Sequence, residues 1–264
     1  MNQIKQKTYL GIDVGNTHTV LGLFQGQNII ASWRIATRPE ITADELAATL
    51  IPLLNNKGFS LNDINDLLLA SVVPPLTSIY KKFCKIYFNS DALIITGATQ
   101  LGMPILYKRP FEVGADRLVN SIAAYDLFTT SLIVIDFGTA VTFDCVSQNG
   151  EYLGGAIAPG PLVSAETLFK KTAKLPLVDL FSPPKAVIAQ DTVSAIKAGI
   201  IYGFGGLTDR LVHCLSTEFP DKPKIIATGG LAEIIAPFSE SIEKVIPDLT
   251  LRGLAIIYKR LKQA

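Results

Sequence analysis

The sequence predicts an α/β protein built from one unit used twice, each unit being three strands followed by alternating helix and strand. Two observations carry this expectation. The phrase Leu10-Gly11-Ile12-Asp13-Val14-Gly15-Asn16-Thr17 returns as Val134-Ile135-Asp136-Phe137-Gly138-Thr139, almost half of the 264 residues later. Each copy is an apolar run ending in Asp-x-Gly, then small hydroxylated residues, then a second apolar run at 20–24 or 140–146, which reads as a β-hairpin with a tight turn. The second observation is that the apolar periodicities following the two hairpins come in the same order.

The first unit opens with strands at 9–14, 19–24 and 29–35. Thr42-Ala43-Asp44-Glu45 is a capping box ahead of Leu46, Leu50, Leu53 and Leu54, which share one helix face. A strand at 67–73 is stopped by Pro74-Pro75, a helix covers 76–88, and a short strand at 93–96 closes the unit. The second unit repeats the order with strands at 132–136, 141–147 and 152–157 and helices at 162–171 and 192–215. A strand at 224–227 leads into Thr228-Gly229-Gly230 and another helix, and a last strand at 245–246 precedes a closing helix at 249–262. This is the pattern of a duplicated ribonuclease-H-like fold of the actin, Hsp70 and sugar-kinase type. It implies two similar domains, 8–113 and 114–264, with a cleft between them. An ordinary doubly wound sheet fits less well, because a Rossmann unit passes from its first strand straight into a helix. No GxGxxG follows a strand and no GxxxxGK[ST] occurs, so the usual dinucleotide and P-loop signals are absent.

Composition narrows the function classes. Hydrophobic residues make up 48% of the chain and charged ones 18%, ample material for a core. A net charge of +1 without a basic stripe argues against nucleic acid as a partner. The most apolar stretches are broken by prolines, glycines or charges before they reach bilayer length, so no membrane partner is expected. The opening, Met1-Asn2-Gln3-Ile4-Lys5-Gln6-Lys7, lacks the apolar core of a signal peptide. Cys84, Cys145 and Cys214 are odd in number, widely separated and form no CxxC pair, which supports neither a zinc site nor a disulfide framework. They read as reduced thiols in a cytoplasmic protein, with Cys145 and Cys214 at packing positions.

Four segments carry candidate chemistry. The first turn, Asp13 to Thr19, offers a carboxylate at a strand end, a glycine that permits close backbone approach, and N–H and hydroxyl groups suited to phosphate oxygens. A lone Asp-x-Gly turn is common, but two at matched places in a repeat favour ligand binding; His18 beside the turn reads more readily as a surface or packing residue. The second segment, Tyr107-Lys108-Arg109-Pro110-Phe111-Glu112-Val113-Gly114-Ala115-Asp116-Arg117, opens a helix with apolar Leu118, Ile122, Ala123 and Leu127. Asp116 there could simply cap the helix, favouring its start by roughly 1 kcal/mol. The alternative is a carboxylate that accepts a hydroxyl proton beside a guanidinium that clasps a carboxylate bidentately. In the third segment Asp136 and Thr139 lie at the second turn and are favoured for ligand contact. Thr142 and Asp144, on the strand face opposite Val141 and Phe143, read equally as a solvated face. The fourth is Gly154-Gly155-Ala156-Ile157-Ala158-Pro159-Gly160 with Thr228-Gly229-Gly230, glycine-dense enough for close ligand approach, though taken alone ordinary loop punctuation explains it better.

Together these residues resemble the type III pantothenate kinases over essentially the whole chain, through DVGNT, YxxPxxVGADR, DFGTAVTFD, GGAIAPG and the late TGG. The GADR segment between two Asp-x-Gly turns is the specific part. The resemblance implies phosphorylation of pantothenate to 4'-phosphopantothenate by ATP, the first committed step towards coenzyme A, in a homodimer that needs a monovalent cation besides magnesium with ATP. It implies that Asp13, Val14, Gly15, Asn16, Thr17, His18, Thr19 and Val20 form the first nucleotide-phosphate turn and that Thr139 contacts ATP. It implies that Asp116 is the proton acceptor, that Tyr107, Gly114, Ala115, Asp116 and Arg117 bind pantothenate, and that Asp136 binds potassium or ammonium. Thr192 matches a threonine that lines the pantothenate pocket, although Asp191 stands where asparagine is expected. Clasping of the pantothenate carboxylate by Arg117 is inferred from charge. The dimer interface is expected to include the long helix at 192–215, apolar on more than one face through Ile196, Ile200, Ile201, Tyr202 and Phe204. Two rivals are a non-catalytic accessory relative of the family and a sugar or acetate kinase of the same superfamily. The complete set of Asp13, Asp116, Arg117, Asp136 and Thr139 weighs against the first. The absence of a cysteine–histidine zinc motif weighs against the second.

Overall fold

A computed structural model describes residues 7–99 and 101–263. The segment on which the signal-peptide reading rests lies, up to Gln6, outside the described residues. The first sheet is made of β1 (Thr8–Val14), β2 (His18–Gln25), β3 (Asn28–Ala36), β4 (Asp66–Ser71) and β5 (Leu93–Ile95), in the order β3-β2-β1-β4-β5. The second contains β6 (Leu132–Phe137), β7 (Ala140–Val146), β8 (Tyr152–Pro159), β9 (Lys224–Thr228) and β10 (Lys244–Val245), in the order β10-β9-β6-β7-β8. Read from its other edge, the second order is the first one repeated. In each sheet the first strand runs antiparallel to the second and parallel to the fourth. The duplicated ribonuclease-H-like architecture is therefore present, and each Asp-x-Gly turn lies at the carboxyl end of a central strand.

Helices cover these sheets where the sequence patterns place them. α1 (Ala43–Asn55) begins at the capping box: Thr42 N–H donates to Glu45 Oε2 at 2.8 Å, and Glu45 N–H donates to Thr42 Oγ1 at 3.2 Å. Its Leu46, Leu50 and Leu54 pack with Leu10, Ile12 and Val14 of β1 and with Leu76, Tyr80 and Phe83 of α2 (Pro74–Phe88). α2 starts at Pro74 rather than two residues later. A proline at the first helical position lacks only an N–H that has no intrahelical partner there. β4 accordingly ends at Ser71, and Val73 caps α2. In the second sheet Ile133, Ile135, Phe137, Val141 and Phe143 pack with Ile200, Phe204 and Val212 of α5 (Thr192–Ser216) and Ala165 of α4 (Pro161–Lys171). The opposite sheet face is not solvated at Asp144, which is fully buried. The helix expected after Thr228-Gly229-Gly230 is the short α6 (Ala232–Ile235). None of the three cysteines forms a disulfide; Cys84 and Cys145 are buried, and burial raises the Cys84 thiol to about 12.

The chain packs into two compact units whose bounds differ from a linear cut after residue 113. One holds the chain up to Met103, Lys108–Ala123 and the stretch from Thr250; the other holds Pro104–Tyr107 and Ala124–Leu249. The first half of α3 (Ala115–Phe128) and the closing helix α7 (Leu249–Gln263) thus pack in the first unit. The Tyr258 ring of α7 stacks on Tyr9 at 3.5 Å between centroids, and its hydroxyl donates to Asp66 at 2.6 Å. Thr250 Oγ1 donates to Asn120 of α3 at 2.8 Å. Such pairs join residues far apart in sequence, which local periodicity does not reveal.

Candidate active site

In the first unit the turn after β1 is tied at its base. Gly15 N–H donates to His18 O at 3.1 Å, Thr37 N–H to Thr17 O at 2.9 Å, and Thr37 Oγ1 to Gly15 O at 2.8 Å. The Thr19 and Thr37 hydroxyls meet at 2.9 Å. Asn16, Thr17 and His18 stand exposed at the tip, Asp13, Gly15 and Val20 are half-buried, and Val14 and Thr19 are buried beneath. The side chains of Val14 and Thr19 therefore brace the turn. Loss of hydration, and then the positive charge of Arg34, lower the His18 pKa, so at neutral pH the ring is uncharged.

The Gly114-Ala115-Asp116-Arg117 segment begins α3 in the same unit. Asp116 is half-buried and turns back over the helix start, where Arg117 N–H donates to its Oδ1 at 2.8 Å. A Cβ on Gly114 would lie 2.5 Å from that oxygen, so only glycine leaves the carboxylate its place. Burial raises the Asp116 pKa, against the opposing pull of the Arg117 N–H and guanidinium charge. Arg117 is 8% exposed. One residue not foreseen links turn and segment. Val72 N–H donates to Val14 O at 3.1 Å, and a Cβ on Gly114 would sit 3.4 Å from Val72 Cγ1. Ser71, Val72, Thr77, Thr96, Val113 and Gly114 line a cavity of about 490 Å³. The available signal was the strand stop at Pro74-Pro75: a strand parallel to β1 ends at the same sheet edge as Asp13, where ligands of open α/β sheets gather.

In the second unit Asp136 is half-buried at the end of β6, paired across to Thr142 on β7 and to Thr228 on β9. Gly138 N–H donates to Ala140 O and Gly160 N–H to Thr139 O, both at 3.0 Å, leaving Thr139 exposed at the tip. Gly229 has φ of +97°, and a Cβ there would collide with Asp136 Oδ1 and the Phe137 backbone. Tyr107, half out in solvent at 37% exposure, packs in this unit. Thr192 is the exposed first residue of α5 and lines an open groove with Leu168, Leu175, Ala195 and Gly199. Asp191 caps that helix, accepting from Ser194 N–H at 2.8 Å, which lowers its pKa; an asparagine would cap equally well.

Among the described residues no group of three or more His, Cys, Asp or Glu is placed to hold a metal by itself. A single carboxylate at each turn, beside hydroxyl and backbone oxygens, fits a hard cation shared with phosphate oxygens, as magnesium is commonly held.

The sequence profile of the type III pantothenate kinases matches residues 9–214. A relative so described from Desulfatibacillum aliphaticivorans is 47% identical over 255 residues, covering 97% of this chain and 99% of its own. In fold, the chain is similar to the activator of 2-hydroxyisocaproyl-CoA dehydratase from Clostridium difficile (TM-score 0.60, 15% identity, 97% of this chain and 98% of that one). It is also similar to a ROK hexokinase from Thermus thermophilus (TM-score 0.52, 12% identity, 96% and 99%). With two Asp-x-Gly turns on repeated sheets, the GADR helix start and a near full-length match, the chain belongs to the type III pantothenate kinase family.

Proposed function

We propose that this protein transfers the γ-phosphoryl group of ATP to the primary hydroxyl of pantothenate, giving 4'-phosphopantothenate at the entry to coenzyme A synthesis. The observation that carries the reading is Asp116, a half-buried carboxylate at a helix start beside Arg117 whose pKa is raised by desolvation, in a chain of this family. Phosphoryl transfer needs alignment and charge neutralisation more than covalent help. The turn holding Asp13 to Val20 and Thr139 of the second turn would take the phosphates. Asp116 orients the attacking hydroxyl and accepts its proton, and its raised pKa makes it a better acceptor than an ordinary aspartate. Tyr107, Gly114, Ala115, Arg117 and Thr192 would hold pantothenate. Asp13 would stand towards magnesium, which supplies charge neutralisation when bound. A coupled ADP-release assay over pantothenate, sugars and acetate tests the reading; release that no pantothenate addition stimulates would refute it.

Asp136 is assigned to a monovalent cation, potassium or ammonium, because a bare carboxylate at this turn would repel ATP phosphates. Activity is expected to fall by at least about tenfold when sodium replaces potassium, and Asp136→Ala to flatten that difference. Equal wild-type rates in the two salts across ATP concentrations would remove the assignment.

A homodimer is supported by the exposed apolar residues Phe181, Ile188, Val193 and Tyr202 on and before α5. Ile200, Ile201 and Phe204 of that helix are buried within the unit and are not available to a partner. Sedimentation over a dilution series, with specific activity measured alongside, should show activity falling as the dimer dissociates; a fully active monomer would count against it. Cysteines that form no disulfide suit a cytoplasmic location. No helix among the described residues is long and apolar enough to cross a membrane.

A further inference from the structure

Asp144 is a fully buried carboxylate on β7 for which the chemistry above has no use. Burying such a group costs free energy unless donors meet it. Two hydroxyls do: Tyr152 Oη donates to Oδ1 at 2.8 Å and Thr142 Oγ1 to Oδ2 at 3.0 Å. Tyr152 opens β8 and is itself fully buried. Its main chain holds the residues that lead into the substrate segment. Tyr152 N–H donates to Pro104 O and Leu106 N–H donates to Tyr152 O, each at 2.8 Å, so that Ile105 bridges to Tyr152 like a short added strand. Its ring supports the next residue, with the Tyr107 and Tyr152 centroids 6.4 Å apart and the planes tilted by 56°. Gly154 lies beside them: its φ of +119° favours glycine, and a Cβ there would meet two carbons of the Tyr107 ring at 3.4 Å, in ordinary contact.

We propose that Asp144 is a positioning residue for pantothenate, acting through Tyr152 on Tyr107. A tyrosine whose hydroxyl is held by a buried carboxylate keeps one ring tilt, and the two main-chain bonds fix the strand that delivers Tyr107. Without the Asp144 bond the far end of the Tyr152 ring loses its anchor, and Tyr107, half exposed, spends its time over more orientations. The loss falls on capture of the substrate and not on the transfer step, because none of these groups touches the reacting atoms. The proposal rests on the assignment of Tyr107 to pantothenate.

The test is steady-state kinetics on the full chain, with pantothenate and ATP varied separately, for Tyr152→Phe, Asp144→Asn, Tyr107→Ala and the double variant Tyr107→Ala/Tyr152→Phe. Tyr152→Phe should raise the KM for pantothenate by about fivefold or more, with kcat and the KM for ATP within about twofold of wild type. Asp144→Asn, which keeps one acceptor oxygen and turns an amide donor towards the other hydroxyl, should shift the same KM in the same direction. With Tyr107 already removed, Tyr152→Phe should add nothing. Tyr152→Phe removes no buried carbon, so it reads the hydroxyl even where Asp144→Asn folds poorly. If Tyr107→Ala leaves the pantothenate KM unchanged, the assignment of Tyr107 is wrong and the proposal falls with it. If Tyr107→Ala raises that KM but Tyr152→Phe does not, or if Tyr152→Phe lowers kcat, raises both KM values and lowers the melting temperature together, the brace is structural alone and the proposal is overturned.

Discussion

Asp116→Asn is expected to lower kcat by about 10²–10⁴-fold while leaving the fold intact, the range that general base catalysis supplies. The asparagine keeps the shape at the start of α3 but accepts no proton. The direction of the Asp116 pKa adds a stability expectation. Burial raises it above the ordinary aspartate value, so over the window between the two the folded protein holds a proton that the unfolded chain releases. Stability from this group is present below the ordinary value and is lost as pH rises through the raised one, and at neutral pH the ionised carboxylate works against folding. Asparagine carries no such charge, so the variant should be as stable as the wild type, or more so, in urea at neutral pH. The same shift moves the acid limb of kcat/KM above the ordinary aspartate range. A purified variant that keeps more than about a tenth of kcat would exclude Asp116 as the base.

Gly229→Ala is expected to destabilise the second unit by roughly 2–5 kcal/mol. Two costs add. The backbone at φ +97° is one that alanine adopts only under strain, and the new methyl group would overlap the Asp136 carboxylate and the Phe137 backbone. Relief requires that β6 or the loop after β9 move, which displaces Asp136. Activity should therefore fall with stability, and the response to potassium should weaken as it does in Asp136→Ala. Urea unfolding followed by tryptophan-independent circular dichroism, with kinetics in potassium and sodium, checks both parts. A loss of stability below about 1 kcal/mol would show that the turn gives way at little cost.

What is local in the chain was readable from its residues alone. The succession of strands and helices along each unit follows from hairpins and alternating periodicities, and the Thr42–Glu45 capping box closes within four residues, as the structure shows. The two Asp-x-Gly turns were legible because carboxylate, glycine and flanking strands are neighbours in the chain. The GADR helix start was legible for the same reason. Which distant residues meet is set by the folded chain. Folding seats α7 with the first unit through Tyr258 on Tyr9, and it brings Val72 between Val14 and Gly114 because β4 lies parallel to β1. It also turns Asp144 from a residue that could face solvent into a buried acceptor for Tyr152. Alternation along a strand says which residues share a face but not what covers it. Burial is set by packing partners that the chain brings from elsewhere, and for a carboxylate that covering decides whether it is solvated or becomes the fixed point of a hydrogen-bonded brace.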